Sequence, residues 1–179
     1  MHSTNSDRTT LAAHRFISAG TRPRTPGEDA VIWTSYEIKK LDCSGPVVQQ
    51  AAHDMAALIN LDCNLIPAPD RTGDTTANRR LANHIRDILE ASKITASVCD
   101  ILGRTHAVES SCERHKRRLP PMLPHEHHII RYNHTLIKCQ TTYIVDNVTT
   151  NGGTIAACVF ALGFGTGLVY ADAHHDTRN

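Results

Sequence analysis

The sequence predicts an α/β protein in which three layers form, with helices on both faces of a parallel sheet. Short apolar segments of strand length alternate with segments whose apolar residues recur at helical spacing. This alternation is typical of parallel α/β sheets. The predicted strands are continuously apolar rather than alternating, which indicates burial on both faces. A loop rich in glycine and threonine lies between one such strand and the next helix, near residue 150.

Length and composition indicate one globular domain with a short extension. The chain has 179 residues, of which 40% are hydrophobic, enough to form a core. Residues 1–29 are polar and irregular, and a Pro- and Gly-rich turn follows Thr21. We therefore expect an N-terminal extension over residues 1–40 and one main domain over residues 41–179.

Charge and hydropathy exclude two broad classes of partner. Nineteen Lys and Arg residues balance eighteen Asp and Glu residues, for a formal net charge of +1, so we expect no general binding of nucleic acid. No stretch approaches the ~18 apolar residues of a membrane-spanning helix. The first twenty residues lack the apolar core of a secretory signal. These features predict a cytoplasmic protein with no membrane partner.

The elements are predicted from residue type and spacing. Ala30–Ile38 is rich in β-branched and aromatic residues, so we expect a strand, pairing with residues 14–18. Gly45 and Pro46 open a helix. Arg104–Tyr132 has no clean period and is expected to be a long mobile loop. The remaining predicted elements are strands at Cys63–Pro67, Ile94–Leu102, Thr141–Val145 and Gly167–Ala173 and helices at Thr75–Ala91 and Gly153–Leu162, the last of which ends near Gly163.

The segment from Tyr143 to Ile155 carries the clearest chemical signal. An apolar strand is followed by Asp146 and Asn147, then by a loop of small polar residues, then by a helix. Loops at the carboxyl ends of parallel strands bind ligands in α/β folds. Glycines let the backbone approach an anion closely, and a helix start attracts phosphate. The pattern therefore predicts a phosphate-binding loop with a nearby carboxylate for a sugar diol.

The residues VDNVTTNGGTI resemble the phosphoribosyl-pyrophosphate (PRPP) signature of the type I phosphoribosyltransferases. The resemblance implies that family's fold, with a small N-terminal hood over the site. It also implies that Asp146 and Asn147 form the catalytic pair that holds the ribose hydroxyls. Asn147 departs from the second acid of the signature. The implied contacts to the 5-phosphate are Thr149, Thr150, Asn151, Gly152, Gly153 and Thr154.

Other segments resemble the ComF-like branch of the same family. The strand-then-proline segment is similar to the family's pyrophosphate loop, formed here by Pro67, Ala68, Pro69, Asp70 and Arg71. The polar helix start with Asn78, Arg79 and Arg80 and the run from Ser110 to Arg114 also fit this branch. Arg104 and Arg114 are candidates for a lid that closes over pyrophosphate. A solvated basic segment is an equal alternative.

The resemblance implies transfer of a phosphoribosyl group from PRPP, with Mg²⁺, to a small-molecule acceptor similar to a nucleobase. The alternative is a PRPP-binding sensor without turnover, or a ComF-like accessory factor in DNA uptake or processing. The acceptor is not identified by the sequence, and a homodimer stays open. His125–His128 lacks the spacing of a metal motif and lies among prolines, so a histidine-rich surface loop is favoured over a metal site.

Overall fold

A computed structural model describes residues 10–17, 23–40, 45–133 and 139–173, with the side chain of Cys112 excepted. These residues form an α/β fold around a five-stranded parallel sheet, which confirms the predicted fold class at this level. Its strands are β1 (Thr10–Arg15), β2 (Cys63–Pro67), β3 (Ala96–Val98), β6 (Thr141–Thr149) and β7 (Thr166–Asp172), in the order β1-β7-β6-β2-β3. Strands β4 (Leu102–Arg104) and β5 (Ile129–Arg131) form a separate antiparallel pair.

Helices cover both faces of the sheet. The helices are α1 (Pro26–Glu37), α2 (Gly45–Ala56), α3 (Thr76–Ala91), α4 (Ser111–Lys116) and α5 (Gly153–Leu162). One buried cluster joins α2 and α3 to Leu65, Val145 and Leu168 of the sheet. A second cluster joins α5 and the β4–β5 pair to Ile66, Ile144 and Val169 on the opposite face. The continuously apolar strands are thus buried on both sides, as expected for a parallel sheet.

The predicted strand at Ala30–Ile38 is wrong, because this segment lies in α1 up to Glu37 and Ile38 is the C-cap of that helix. Thr25 caps the helix by accepting a hydrogen bond from the Glu28 amide, and the Glu28 carboxylate accepts one from the Thr25 amide. Pro26 occupies the first turn. This capping box and the favourable proline position outweigh the β propensity of Val31, Ile32 and Trp33.

The predicted pairing of residues 14–18 is also wrong. The N-terminal segment contributes β1, which pairs in parallel with β7 at the edge of the main sheet. Phe16 continues this contact by donating its amide to the carbonyl of Asp172. Residues 1–9 of the predicted extension, and residue 18 of the predicted pairing, lie outside the described residues.

Two further boundaries differ from those predicted. The apolar run Ile94–Leu102 is divided between β3 and β4, which belong to different sheets. The chain turns between them at Asp100, whose carboxylate accepts hydrogen bonds from Thr75 and Arg79 of the α3 region. The predicted loop at residues 104–132 contains α4, one 3-10 turn (Pro124–His127) and β5. None of the described helices is long and apolar enough to cross a membrane.

Candidate functional site

A cavity of about 590 Å³ opens where β2 and β6 end, beside the starts of α3 and α5. Three segments that are distant in the sequence meet there: the end of β6 with its loop, the turn after β2, and Arg104 of β4. The predicted site residues that line the cavity are Pro69, Asp70, Arg71, Arg104, Asp146, Asn147, Thr149, Thr150, Asn151, Gly153 and Thr154. Pro67 and Ala68 are buried at the end of β2. Arg114 borders a separate cavity of about 360 Å³.

Asp146 lies within β6, which continues to Thr149, and so the predicted strand end at Val145 is four residues too early. Its carboxylate accepts hydrogen bonds from the Asn78 side chain at 3.1 Å and from the Asn147 amide at 2.8 Å. Burial raises the pKa of this carboxyl, and Lys39 opposes the rise. Asp146 is thus an oriented hydrogen-bond acceptor at the floor of the cavity.

Asn78 anchors the start of α3 to this floor. Its side chain is 8% exposed and also donates to the carbonyl of Ala68 at 2.8 Å. A single carboxamide therefore connects α3, the end of β2 and Asp146. Buried amides of this kind fix the geometry of neighbouring groups because each of their polar atoms needs a partner.

Asn147 borders the cavity but is only 2% exposed. Its side-chain amide donates to the carbonyl of Ser35 in α1 at 2.7 Å. The two neighbouring side chains thus have different partners, since Asn147 contacts α1 and Asp146 contacts Asn78 of α3. The Asn147 side chain thus holds α1 against the sheet, and part of its hydrogen-bonding capacity is used there.

The loop between β6 and α5 is stabilised by its own side chains. The hydroxyl oxygen of Thr149 accepts from the Gly152 amide at 2.9 Å, and the Asn151 carboxamide oxygen accepts from the Gly153 amide at 3.0 Å. Gly152 has a φ of 74°, a left-handed conformation that glycine adopts readily. The first helical bond runs from Ala156 to Gly152. The amides of Thr154 and Ile155 lie in the first turn, where an α-helix offers no backbone acceptor of its own.

The turn after β2 is organised by two carboxylates. One oxygen of Asp70 accepts hydrogen bonds from the backbone and hydroxyl of Thr72 and from the Asp74 amide. Asp74 accepts from the backbone and hydroxyl of Thr76, and these bonds lower its pKa. The Arg71 side chain is exposed and lies 3.7 Å from Glu113. In the predicted pyrophosphate loop, Asp70 therefore shapes the turn, and Arg71 supplies a cation at the rim.

Arg104, the last residue of β4, lines one side of the cavity. Its Nε donates to the carbonyl of Asp70 at 2.6 Å, and its guanidinium also donates to the carbonyl of His127. Burial lowers the pKa of this guanidinium, and the charges of Asp70 and Asp146 partly oppose this decrease. Both bonds go to backbone carbonyls, so this residue is fixed rather than carried by a lid. Arg114 of α4 donates to the carbonyl of Pro120 at 2.8 Å and does not line this cavity.

His127 is a cavity residue that the sequence analysis assigned to the surface. It is 4% exposed, lines the cavity and lies beside Gly153. Burial, and then the charge of Arg104, lower its pKa to about 4, so the imidazole is neutral near pH 7. No spacing rule distinguishes His127 from its histidine neighbours. The one-turn 3-10 helix that turns it inwards begins at Pro124, a position that proline favours.

The acidic groups of the site do not form a metal cage. Among the described residues, no group of three His, Cys, Asp or Glu side chains is arranged to hold a metal ion. The cavity is lined by four carboxylates and three cationic side chains of that part of the chain, namely Asp70, Asp74, Glu109 and Asp146, and Lys39, Arg71 and Arg104. The arrangement can bind a polyhydroxyl group at Asp146 and an anion at the start of α5.

Comparison of the chain with protein-family models, with curated proteins and with solved structures finds no match.

Proposed function

We propose that the protein binds PRPP and transfers its phosphoribosyl group to a small-molecule acceptor. One observation carries this proposal: Asp146, the loop before α5, the turn after β2 and Arg104 surround the same cavity. A sugar with a phosphate at one end and a pyrophosphate at the other needs contacts to its hydroxyls, to its phosphate and to its pyrophosphate. Asp146 would supply the first, the loop before α5 the second, and the turn after β2 with Arg104 the third. The resemblance of residues 145–155 to the PRPP signature supports PRPP as the substrate.

The proposed roles follow from the chemistry of each segment. Asp146 accepts hydrogen bonds from the ribose hydroxyls, because its carboxylate is oriented by Asn78 and the Asn147 amide. The amide and hydroxyl of Thr154 and the loop residues before it donate to the 5-phosphate at the start of α5. Arg71 and Arg104 line the same cavity beside the turn after β2, where their charges would offset those of the pyrophosphate.

In the transfer, the bond between the anomeric carbon and the pyrophosphate oxygen breaks, and a bond to the acceptor forms. Positive charge develops on the ribose ring, as in glycoside chemistry. The residues of the chain contribute by holding the sugar and the leaving group in line and by stabilising the departing charge. The acceptor would enter beside Phe16, Tyr36 and Lys39, which line the cavity next to α1.

The donor set fits Mg²⁺ that arrives with the substrate. Mg²⁺ is usually held by one or two carboxylates, several waters and substrate phosphates rather than by a full protein cage. Of the carboxylates that line the cavity, Asp146 would hold the ion together with the substrate. When bound, the ion would offset the negative charge of the pyrophosphate as it leaves.

A second candidate is a PRPP sensor or ComF-like accessory factor without turnover. Asn147 favours it, because this residue lacks the charge of a second acid and its amide is engaged by Ser35. Such a protein would bind PRPP through the same loop. It would release no pyrophosphate.

Calorimetric titration with PRPP, with and without Mg²⁺, tests the binding that both candidates share. Pyrophosphate release is then measured with a panel of purine, pyrimidine and orotate acceptors. Binding that Mg²⁺ strengthens, together with release for one acceptor, supports the transferase. Binding with no release in the panel supports the sensor, and absence of PRPP binding contradicts both.

A further inference from the structure

His127 has an environment that a purely structural role does not explain. Its side chain is almost fully buried, yet Nδ1 has no hydrogen-bond partner among the described residues. Because Nδ1 has no acceptor for a proton, the proton of the neutral ring is expected on Nε2. The opposite ring nitrogen, Nε2, lies 3.0 Å from the point that a β-carbon on Gly153 would occupy.

The ring thus lies against the first residue of α5, at the anion-attracting end of a ten-residue helix. The absence of a side chain at Gly153 makes room for it. His127 and Gly153 both line the cavity, as do Asn151 and Thr154. An anion bound to the loop would therefore meet the Nε2 edge of the imidazole.

We propose that Nε2–H of His127 donates a hydrogen bond to the phosphate monoester bound at the start of α5, as a ligand contact additional to the loop. The inference rests on the proposed PRPP site and names a residue of that site outside the signature. A proton on Nδ1 would be a buried donor without an acceptor, which is costly. The neutral tautomer with its proton on Nε2 avoids this cost and directs the donor to the cavity.

Arg104 supports this arrangement in two ways. Its hydrogen bond to the carbonyl of His127 fixes the backbone that carries the ring. Its charge helps to keep the imidazole neutral until an anion arrives. A bound phosphate would favour the protonated ring and so raise the pKa of His127.

The experiment compares His127→Asn, His127→Gln and the control His125→Asn in the full-length chain. Asn places its amide near the position of Nδ1, whereas Gln can reach that of Nε2. His125 is an exposed neighbour in the same turn. Titrations use ribose 5-phosphate, PRPP and free pyrophosphate, and thermal unfolding checks that each variant folds.

We expect His127→Asn to weaken binding of ribose 5-phosphate and PRPP by about 10- to 100-fold, the usual loss of one hydrogen bond to a charged group. His127→Gln should keep most of the affinity, and His125→Asn all of it. Pyrophosphate binding should not change. Unchanged ribose 5-phosphate affinity in folded His127→Asn overturns the inference but leaves the proposed function standing.

A measurement on the wild-type protein keeps the test independent of folding. Long-range ¹H–¹⁵N NMR spectra report which ring nitrogen carries the proton. We expect the Nε2–H tautomer in the free protein and a shift of the His127 ring resonances when ribose 5-phosphate is added. Ring resonances that stay in place at saturating ligand contradict the inference. If the wild type binds neither sugar phosphate, the proposed function fails, and the inference fails with it.

Discussion

Helices α3 and α5 begin beside the same cavity, after neighbouring strands, but the turns that lead into them are stabilised by different side chains. At the start of α3, the carboxylates of Asp70 and Asp74 accept the hydrogen bonds of the turn. In the turn before α5, the acceptors are the neutral side chains of Thr149 and Asn151. A helix start attracts negative charge. At α3 the negative charge comes from Asp70 and Asp74, whereas at α5 no side chain of the preceding turn supplies it, and a bound anion could do so.

The difference explains why two similar strand-to-helix connections can have different roles. A phosphate monoester at the start of α3 would have to approach two carboxylates, whereas one at α5 would meet neutral donors. Pyrophosphate at the turn after β2 would therefore depend on the charges of Arg71 and Arg104. Asp146 and Asn78 lie between the two helix starts and connect them. The comparison predicts that variants at α5 and at Asp146 alter ligand binding, while variants at the α3 caps alter mainly stability.

The largest effect is expected for Asp146→Asn. The variant keeps an oxygen for the hydrogen bonds from Asn78 and the Asn147 amide but loses the charge on which the proposed contacts to the ribose hydroxyls depend. Each hydrogen bond to a charged group contributes ~1.5–3 kcal/mol, so PRPP affinity should fall by about 100-fold or more. Calorimetry measures the loss. Asp62→Asn is the matched control, because Asp62 caps Thr95 away from the cavity lining. Equal PRPP affinity in wild type and Asp146→Asn would mean that the ribose assignment is wrong.

Arg104→Lys should affect both stability and binding. Arg104 connects the Asp70 turn to His127 through two backbone carbonyls, and a lysine cannot reproduce this forked contact. We expect the free energy of unfolding to fall by about 2 kcal/mol, measured in urea, as for one lost hydrogen bond of a charged group. Arg86→Lys is the control, since Arg86 pairs only locally with its neighbour Asp87 on α3 and should change stability little. A loss no greater than that of the control would contradict the role of Arg104 as a fixed wall.

Gly153→Ala tests the start of α5 alone. The new β-carbon would lie 3.0 Å from His127 Nε2 and 3.2 Å from Asn151 Oδ1, so one of the two must move. We expect binding of ribose 5-phosphate to weaken about tenfold, the cost of one disturbed hydrogen bond. Gly27→Ala is the control, because Gly27 is also in a first helical turn and its nearest neighbour would lie at 4.0 Å. The contrary result is a Gly153→Ala variant that binds as tightly as Gly27→Ala.

The sequence predicts the parts of the fold whose signals are local. The strand Cys63–Pro67 and the helix Gly153–Leu162 have the predicted bounds, because an apolar run defines the strand and Gly163 ends the helix. Local signals also explain the error at Ala30–Ile38, where the capping box of Thr25 and Glu28 was the stronger determinant. The break in Ile94–Leu102 could not be predicted, because it depends on a contact of Asp100 with residues 75 and 79.

The same limit applies to the site. The sequence indicates Asp146 and the glycine loop because strand, acid and loop are contiguous. It does not reveal that Asn147 is directed towards Ser35, or that His127 turns inwards against Gly153. Both facts depend on elements more than twenty residues away in the chain. Residues whose roles depend on such distant partners are the ones that sequence patterns miss.

The smallest effect is expected for Asp74→Asn, which tests the other side of the comparison. Its hydrogen bonds with Thr76 lower the pKa of Asp74, so its charge stabilises the folded state. This stabilisation is present above the unfolded pKa of about 3.9 and is lost as the pH falls through the lowered folded value. Because the carboxylate is exposed and screened, removal of the charge should cost less than about 1 kcal/mol at pH 7.

Urea unfolding at pH 7 and at pH 2 measures this difference, with Asp87→Asn in the later turns of α3 as the control. The stability difference between wild type and Asp74→Asn should be larger at pH 7 than at pH 2, whereas ribose 5-phosphate affinity should stay at the wild-type value. A tenfold loss of that affinity would show that the start of α3 also contacts the phosphate, and the distinction between the two helices would then fail. Unchanged affinity with the small stability loss leaves α5 as the helix that holds the anion, because α3 already has its own carboxylates.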